Sequence, residues 1–561
     1  MRPSLSAVLF LMLAYGSAYA QRMQNVNPDT IFYNGKIITI DADSHVSESF
    51  AIRNGLFLAV GSTNEIMALK GPDTRLVDLN GHAVIPGLID NHNHQYHTAL
   101  LSIRGVDMQN ISSLSEMFSR IKAAVVSTAP GGPVYTTMEW SAGKLQEKRG
   151  PTLAELDDIA PDNPVVVYAS RSRLHVNSRA LQLLGITDNK PAPFLVSIDR
   201  DDSGQPTGLI TGEAPSAVMN FAARVVPEPS LDEKKTLITR MQAKQHAMGL
   251  TGIRDLQLYP AEMRAYYELW REGKLTMRVS MGLELNAGEE ERIDPLLSAW
   301  GVGPGFGDEW LRIDGIAEYN PGDQLREPYS NSDDTGTLRL PEQVFIEAIR
   351  KINQHGWRPS IHVMGDKTLD LVLAAYTAAD KDMSIKDRRW IVEHIPLVHR
   401  DQMQKIKDLG VMVSAQFQPV SRAKAMMEEW GQARTVQALP MRDLLDFGII
   451  VSGGSDWPGA PNNPFINIHY YVTRDTSDLG PVGPDQKISR MQAIQVMSLN
   501  NAYLTYDEKI KGSIEPGKLA DFVILSEDIL AVPESRIRNI YPVATYVNGA
   551  NVYRHPQASF H

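Results

Sequence analysis

The sequence predicts an α/β fold: a (β/α)8 TIM barrel with an inserted subdomain, plus a small β-sandwich formed from both chain termini. Three observations predict it. Apolar runs alternate with helical stretches through the middle of the chain. Asn-Gly hairpin signals cluster at both ends, and a gap too long for one helix follows the first barrel strand.

The hairpin signals come first along the chain. Ile31-Phe32-Tyr33 runs into Asn34-Gly35 and then Lys36-Ile37-Ile38-Thr39-Ile40, and Asn54-Gly55 precedes a second apolar run at 56–60. Asn-Gly between apolar runs supplies the left-handed turn that a tight hairpin needs. The C-terminal end repeats the pattern at 521–525 and 544–547, with Asn548-Gly549 before 550–553. Pairing the two ends hides strand edges that neither end hides alone.

The middle reads as strands followed by helices. Strand candidates lie at 84–89, 252–256, 275–285, 311–316, 358–363, 390–395, 411–417 and 449–455. Between them, the 367–379 stretch puts Leu369, Leu371, Val372 and Ala375 on one helix face. The 401–409 stretch does the same with Met403, Ile406 and Leu409, and Gly410 follows as a stop. Eight such units fit a closed barrel, with an open doubly wound sheet as the alternative. The expected division is a signal peptide at 1–20, sandwich at 21–86 and 512–561, and barrel at 87–511 with an insertion at about 98–245.

Composition sets the address and the partners. Arg2, the apolar stretch 7–14 and Ala18-Tyr19-Ala20 have the three-part form of a secretory signal, so cleavage before Gln21 and export to a bacterial periplasm are expected. With no cysteine in the chain, any metal site must use nitrogen and oxygen ligands. The net charge of −11 becomes −12 once Arg2 is removed, and there is no Lys/Arg run. That excludes nucleic acid and anionic membrane as expected partners and leaves a small-molecule substrate, with homo-oligomerisation open.

The chemistry resides in a few residues. His92 and His94 follow the first barrel strand two residues apart, so both imidazoles can address one ion. His362, His394 and Asp456 end three further strand candidates. Parallel barrels gather their strand C-termini on one face, so these five residues converge. Imidazoles with a carboxylate suit a divalent ion, Zn2+ first. Such an ion brings bound water toward neutral pKa, and Asp456 is the expected proton shuttle as well as a ligand.

The stretches PGLIDNHNH (86–94), IHVMGDKTLD (361–370), RWIVEHIPLV (389–398), VSGGSDWP (451–458) and GSIEPGKLADFVIL (512–525) resemble the amidohydrolase superfamily, in its family 3 branch. The resemblance implies a barrel with a terminal β-sandwich, metal ligands at His92, His94, His362 and His394, and a catalytic aspartate at Asp456. It implies hydrolysis of a non-peptide C–N bond, of amide type. Alternatives are a two-metal deacetylase, cyclic-amide hydrolase or dipeptidase, and a non-catalytic binding protein on the same scaffold. Many relatives carry a metal-bridging lysine on the fourth strand, where this chain has Ala317. Glu318 could take its place as a ligand only if the strand is bulged, since adjacent residues face opposite ways. One ion is therefore favoured over two. His175 and Asn177 in the insertion, and Trp457 beside the aspartate, are candidate substrate contacts.

Overall fold

The computed structural model describes residues 27–186, 191–193, 195–212, 215–416, 418–458 and 463–558. The expected signal peptide lies outside the described residues, as does Phe417 at the end of one strand candidate.

Eight parallel strands form the barrel: β1 (Leu88–Asn93), β2 (Leu250–Leu258), β3 (Arg278–Leu283), β4 (Leu311–Tyr319), β5 (Pro359–Val363), β6 (Ile391–His394), β7 (Met412–Gln416) and β8 (Val451–Gly454). They neighbour one another in chain order, with none of the reversals that define an open doubly wound sheet. The ring closes between first and last strands just beyond β8, where the Asp456 N–H donates to the His92 carbonyl at 2.8 Å and the His94 N–H to the Trp457 carbonyl at 3.2 Å. Helices such as Pro260–Arg271, Glu342–Gln354, Asp366–Asp382 and Arg400–Leu409 follow the strands. Covered by helices outside and side chains inside, the strands read as near-continuous apolar runs.

The run at 84–89 divides at Gly87. Ala83–Pro86 belongs to the terminal domain and β1 to the barrel. Glycine at the junction has a steric reason, because a Cβ on Gly87 would stand 2.2 Å from Thr251 Oγ1 on β2. In the terminal domain, one six-stranded sheet interleaves both chain ends: Lys36–Ile38, Val46–Ser47 and Ala83–Pro86 join Phe522–Leu525, Pro542–Val547 and Ala550–Arg554. A four-stranded sheet packs on it over an aromatic core, in which Phe32 stacks on Phe50 and Phe522 on Tyr546.

The connection from β1 to β2 carries a five-stranded sheet, Val134–Tyr135, Val165–Ser170, Arg173–Val176, Val196–Arg200 and Pro206–Gly212. Along Val165–Ser170, Val165 and Val167 enter one apolar cluster while Val166 and Tyr168 enter another. Both sheet faces are therefore covered, as the two-residue strand period requires. Among the described residues no helix is long and apolar enough to cross a membrane.

A buried ion pair ties barrel to terminal domain. Arg278 on β3 meets Asp521 through Nε–Oδ2 at 2.5 Å and Nη2–Oδ1 at 2.8 Å, and Asp521 also accepts the Asn548 N–H. Removing one partner strands the other charge in a dry junction. Asp521→Ala should therefore cost about 3–5 kcal/mol of unfolding free energy in urea titrations. A cost below about 1 kcal/mol, the value of an exposed pair, would contradict the junction's role.

Candidate metal centre

The C-terminal strand ends gather one compact polar cluster. His92 lies on β1, His362 on β5, His394 ends β6, and Asp456 follows β8 by two residues. His94 stands at the N-terminus of helix Gln95–Ile103. The ring centroids of His92 and His394 are 4.8 Å apart, and those of His362 and His394 are 4.6 Å apart. Asp456 Oδ1 is 3.3 Å from His94 Nε2 and 3.5 Å from His92 Nε2.

Glu318 faces into this cluster. Its Oε1 is 2.6 Å from His362 Nδ1 and 2.9 Å from His394 Nε2, while Oε2 is 3.7 Å from His92 Nε2. The bulge that the sequence made a condition is present: Ala317 pairs with Ser360 but Tyr319 with Ile361, so two steps on β4 match one on β5. The expectation of one ion rested on a Glu318 that looks away. Its carboxylate instead stands between the histidines of β5 and β6 and His92.

The cluster is oriented from behind. His92 Nδ1 donates to Glu393 Oε2 at 2.7 Å, and Arg254 Nη1 donates to Glu393 Oε1 at 2.6 Å. Arg254 Nε reaches Asp314 Oδ2 at 2.8 Å, and Ser360 Oγ also donates to Glu393. His92, Arg254 and Glu393 are fully buried. With its Nδ1 proton engaged, His92 must present Nε2 to the cluster. That nitrogen is buried and has no hydrogen-bond partner. A buried ring nitrogen left open toward two carboxylates has the donor chemistry of a metal ligand. His92, His94 and Asp456 form one set of close ligand atoms, and His92, Glu318 and His394 a second.

A model of the amidohydrolase family matches residues 75–553. The chain belongs to that family. It is 26% identical to N-substituted formamide deformylase of Arthrobacter pascens, over 94% of this chain and 98% of that one. It is also 26% identical to putative amidohydrolase YtcJ of Bacillus subtilis, over 93% and 99%. An uncharacterized metal-dependent hydrolase of Pyrococcus horikoshii superposes with a TM-score of 0.73 at 24% identity, over 90% of this chain and 99% of that one, a likeness that bears on the fold. This amidohydrolase is thus a hydrolase of a metal-dependent family.

The amidohydrolase uses the three other candidate residues differently. The Asn177 carboxamide is spent on main chain: it accepts from the N–H groups of Val165 and Ala180 and donates to the carbonyls of Ala160 and Asn163. It caps helix Ser178–Leu184, a structural role that leaves no capacity for a substrate. His175 sits against Trp140 and Gly150 within the insertion, its imidazole lowered to about 4 by burial. The Trp457 side chain packs on Ala99, Leu237 and Met241, and its carbonyl helps close the barrel. Sequence reasoning missed Glu393 and Arg254. The available signal was a charge inside each apolar strand run, in 390–395 and 252–256.

Electrostatics match a site made for cations. Burial works against protonation of His92, but the carboxylates of Glu393 and Glu318 outweigh it and hold the imidazole at about 9. His362 rises well above its ordinary value for the same reason, opposite Glu318 and Asp323, and Glu318 falls well below its own. At pH 7 the metal-free site therefore holds protons that a metal must displace. Metal affinity should rise with pH toward about 9, with protons released on binding, as calorimetry in buffers of different ionisation enthalpy would read. A flat affinity over that window would contradict this. Glu393→Gln, which loosens the His92 orientation, should weaken metal binding by about 10–100-fold in chelator competition. Wild-type affinity in that variant would remove Glu393 from the site's support.

Proposed function

We propose that the chain cleaves an amide-type, non-peptide C–N bond of a small molecule at a centre of two divalent ions, Zn2+ first. The observation that carries this reading is the inward Glu318 carboxylate. One oxygen faces His362 and His394 and the other faces His92, so it can serve both donor sets as a bridging lysine does in relatives. His94 and Asp456 complete the first set. The amide class is supported by the deformylase named among the relatives.

Ions held there supply Lewis acidity to a water and to the scissile carbonyl. The residues of the chain supply positioning and the proton path. Asp456 is held well below the usual carboxylate range despite its burial, with the His94 and His92 imidazoles beside it. It enters the cycle ionised, takes the proton of the attacking water on a carboxylate oxygen, and returns it to the departing nitrogen. Glu393 keeps His92 in the tautomer that faces the cluster.

The test pairs activity with metal content. Purified chain loaded with Zn2+, Mn2+ or Co2+ is assayed on N-formyl, N-acyl, lactam and carbamate compounds, and ions are counted per chain. Asp456→Asn should lower kcat by about 10²–10⁴-fold, the share of a positioned proton carrier. Glu318→Ala should lower the count from two ions to one. Undiminished turnover in Asp456→Asn would sink the shuttle, and full activity with one ion per chain would sink the two-ion centre.

A further inference from the structure

The inserted subdomain delivers one cation to the mouth of the barrel. Strands Val165–Ser170 and Arg173–Val176 form an antiparallel hairpin whose turn is Arg171-Ser172. Arg171 Nη1 donates to Gln257 Oε1 at 3.0 Å. Gln257 lies at the C-terminal end of β2, two residues beyond Asp255, which pairs with Asn93 between the ligands His92 and His94. The hairpin turn is thereby fastened to the strand beside the metal centre. The positive charge of Arg171 acts on Asp456, Glu318, Glu284 and Asp255, and on the imidazole of His94.

The deeply buried arginines near the barrel are closed. Arg254 meets Glu393 and Asp314, Arg278 meets Asp521, Arg358 meets Asp314, and Arg474 donates to the main-chain carbonyls of Val482, Leu439 and Ala438. Arg171 differs. It is half-buried, burial works against its charge, and among the described residues its hydrogen bonding is to a single neutral amide. A guanidinium has five N–H donors in a planar fork, so the one bond to Gln257, at the mouth end of β2, leaves four of them without a partner among the described residues.

We propose that Arg171 is the substrate-anchoring residue and that the substrate is an amide carrying a carboxylate, which the guanidinium fork receives while the amide lies at the metal centre. This rests on the amide-hydrolase reading above. A planar, singly charged carboxylate matches a lone guanidinium in two parallel hydrogen bonds. A phosphate dianion fits less well, because the Glu284 carboxylate acts on the same guanidinium and would oppose a second negative charge. Gln257 serves as a positioning residue that aims the fork.

The experiment uses the metal-loaded full chain and matched pairs: N-formyl and N-acetyl amino acids against the same compounds with the carboxylate converted to a carboxamide. Calorimetric affinity and kcat/KM are measured for wild type, Arg171→Gln, Arg171→Lys and Gln257→Ala. Wild type should favour the carboxylate member by about 100-fold, the scale of a hydrogen bond made to a charged group. In Arg171→Gln that ratio should collapse to about one. In Arg171→Lys it should recover in part, since a point charge cannot supply the fork. Gln257→Ala should give an intermediate ratio. Because the ratio is read within each variant, a general loss of folded protein does not imitate the result. Wild type that binds both members equally, or Arg171→Gln that keeps the wild-type ratio, overturns the proposal. Arg171-dependent binding preference without turnover of any pair upholds the anchor and overturns the amide-hydrolase reading. Turnover of both members without preference does the reverse.

Discussion

The hydrogen bond from the Asp456 main-chain N–H to the His92 carbonyl is the closure of the barrel, and it is made by two residues of the candidate metal site. An open parallel sheet would leave β1 and β8 at opposite edges, with His92 and Asp456 tens of ångströms apart at about 4.8 Å per strand. Closure brings them together, and the common strand direction puts His362, His394 and Glu318 on the same rim. The site is therefore a consequence of ring geometry before it is one of side-chain chemistry. The β1–β8 seam uses Asp456 and Trp457, beyond the regular part of β8, so backbone closure and ligand placement cannot be separated there.

Behind that rim, charge runs inward rather than ending. Asp314, Arg254, Glu393 and His92 form an alternating series in which each buried ion faces an opposite one or a hydrogen-bond donor. Each such group would be costly alone in a dry core. Together they fix one ring nitrogen, His92 Nε2, at the edge of the cluster. The concentration of carboxylates around the imidazoles has the same logic: they favour protons on the rings, and a metal bound there would exchange with them.

Much of this was legible in the sequence because it follows from periodicity. The eight apolar runs, the Asn-Gly turns at both ends and the placement of His92, His362, His394 and Asp456 at strand ends all express local patterns. What was not legible depended on departures from regularity or on partners distant in the chain. Glu318 enters the cluster through a bulge, which depends on the pairing of β4 with β5 and leaves no mark in the residues themselves. The close approach of Gly87 to Thr251 depends on the pairing of β1 with β2, far apart in the chain. Asn177 looks like a polar residue available for a ligand, yet four main-chain groups consume it. Arg171 reads as an ordinary turn residue until the hairpin is docked on Gln257.

On the proposed reading, one rim of the barrel would hold two divalent ions, and Glu318 could offer a carboxylate oxygen to each. Anomalous diffraction from crystals of the zinc-loaded chain, collected on both sides of the zinc absorption edge, tests it directly. Two peaks are expected, one beside His94 and Asp456 and the other beside His362 and His394, with Glu318 between. A single peak, or one with Glu318 turned away from it, would contradict the account.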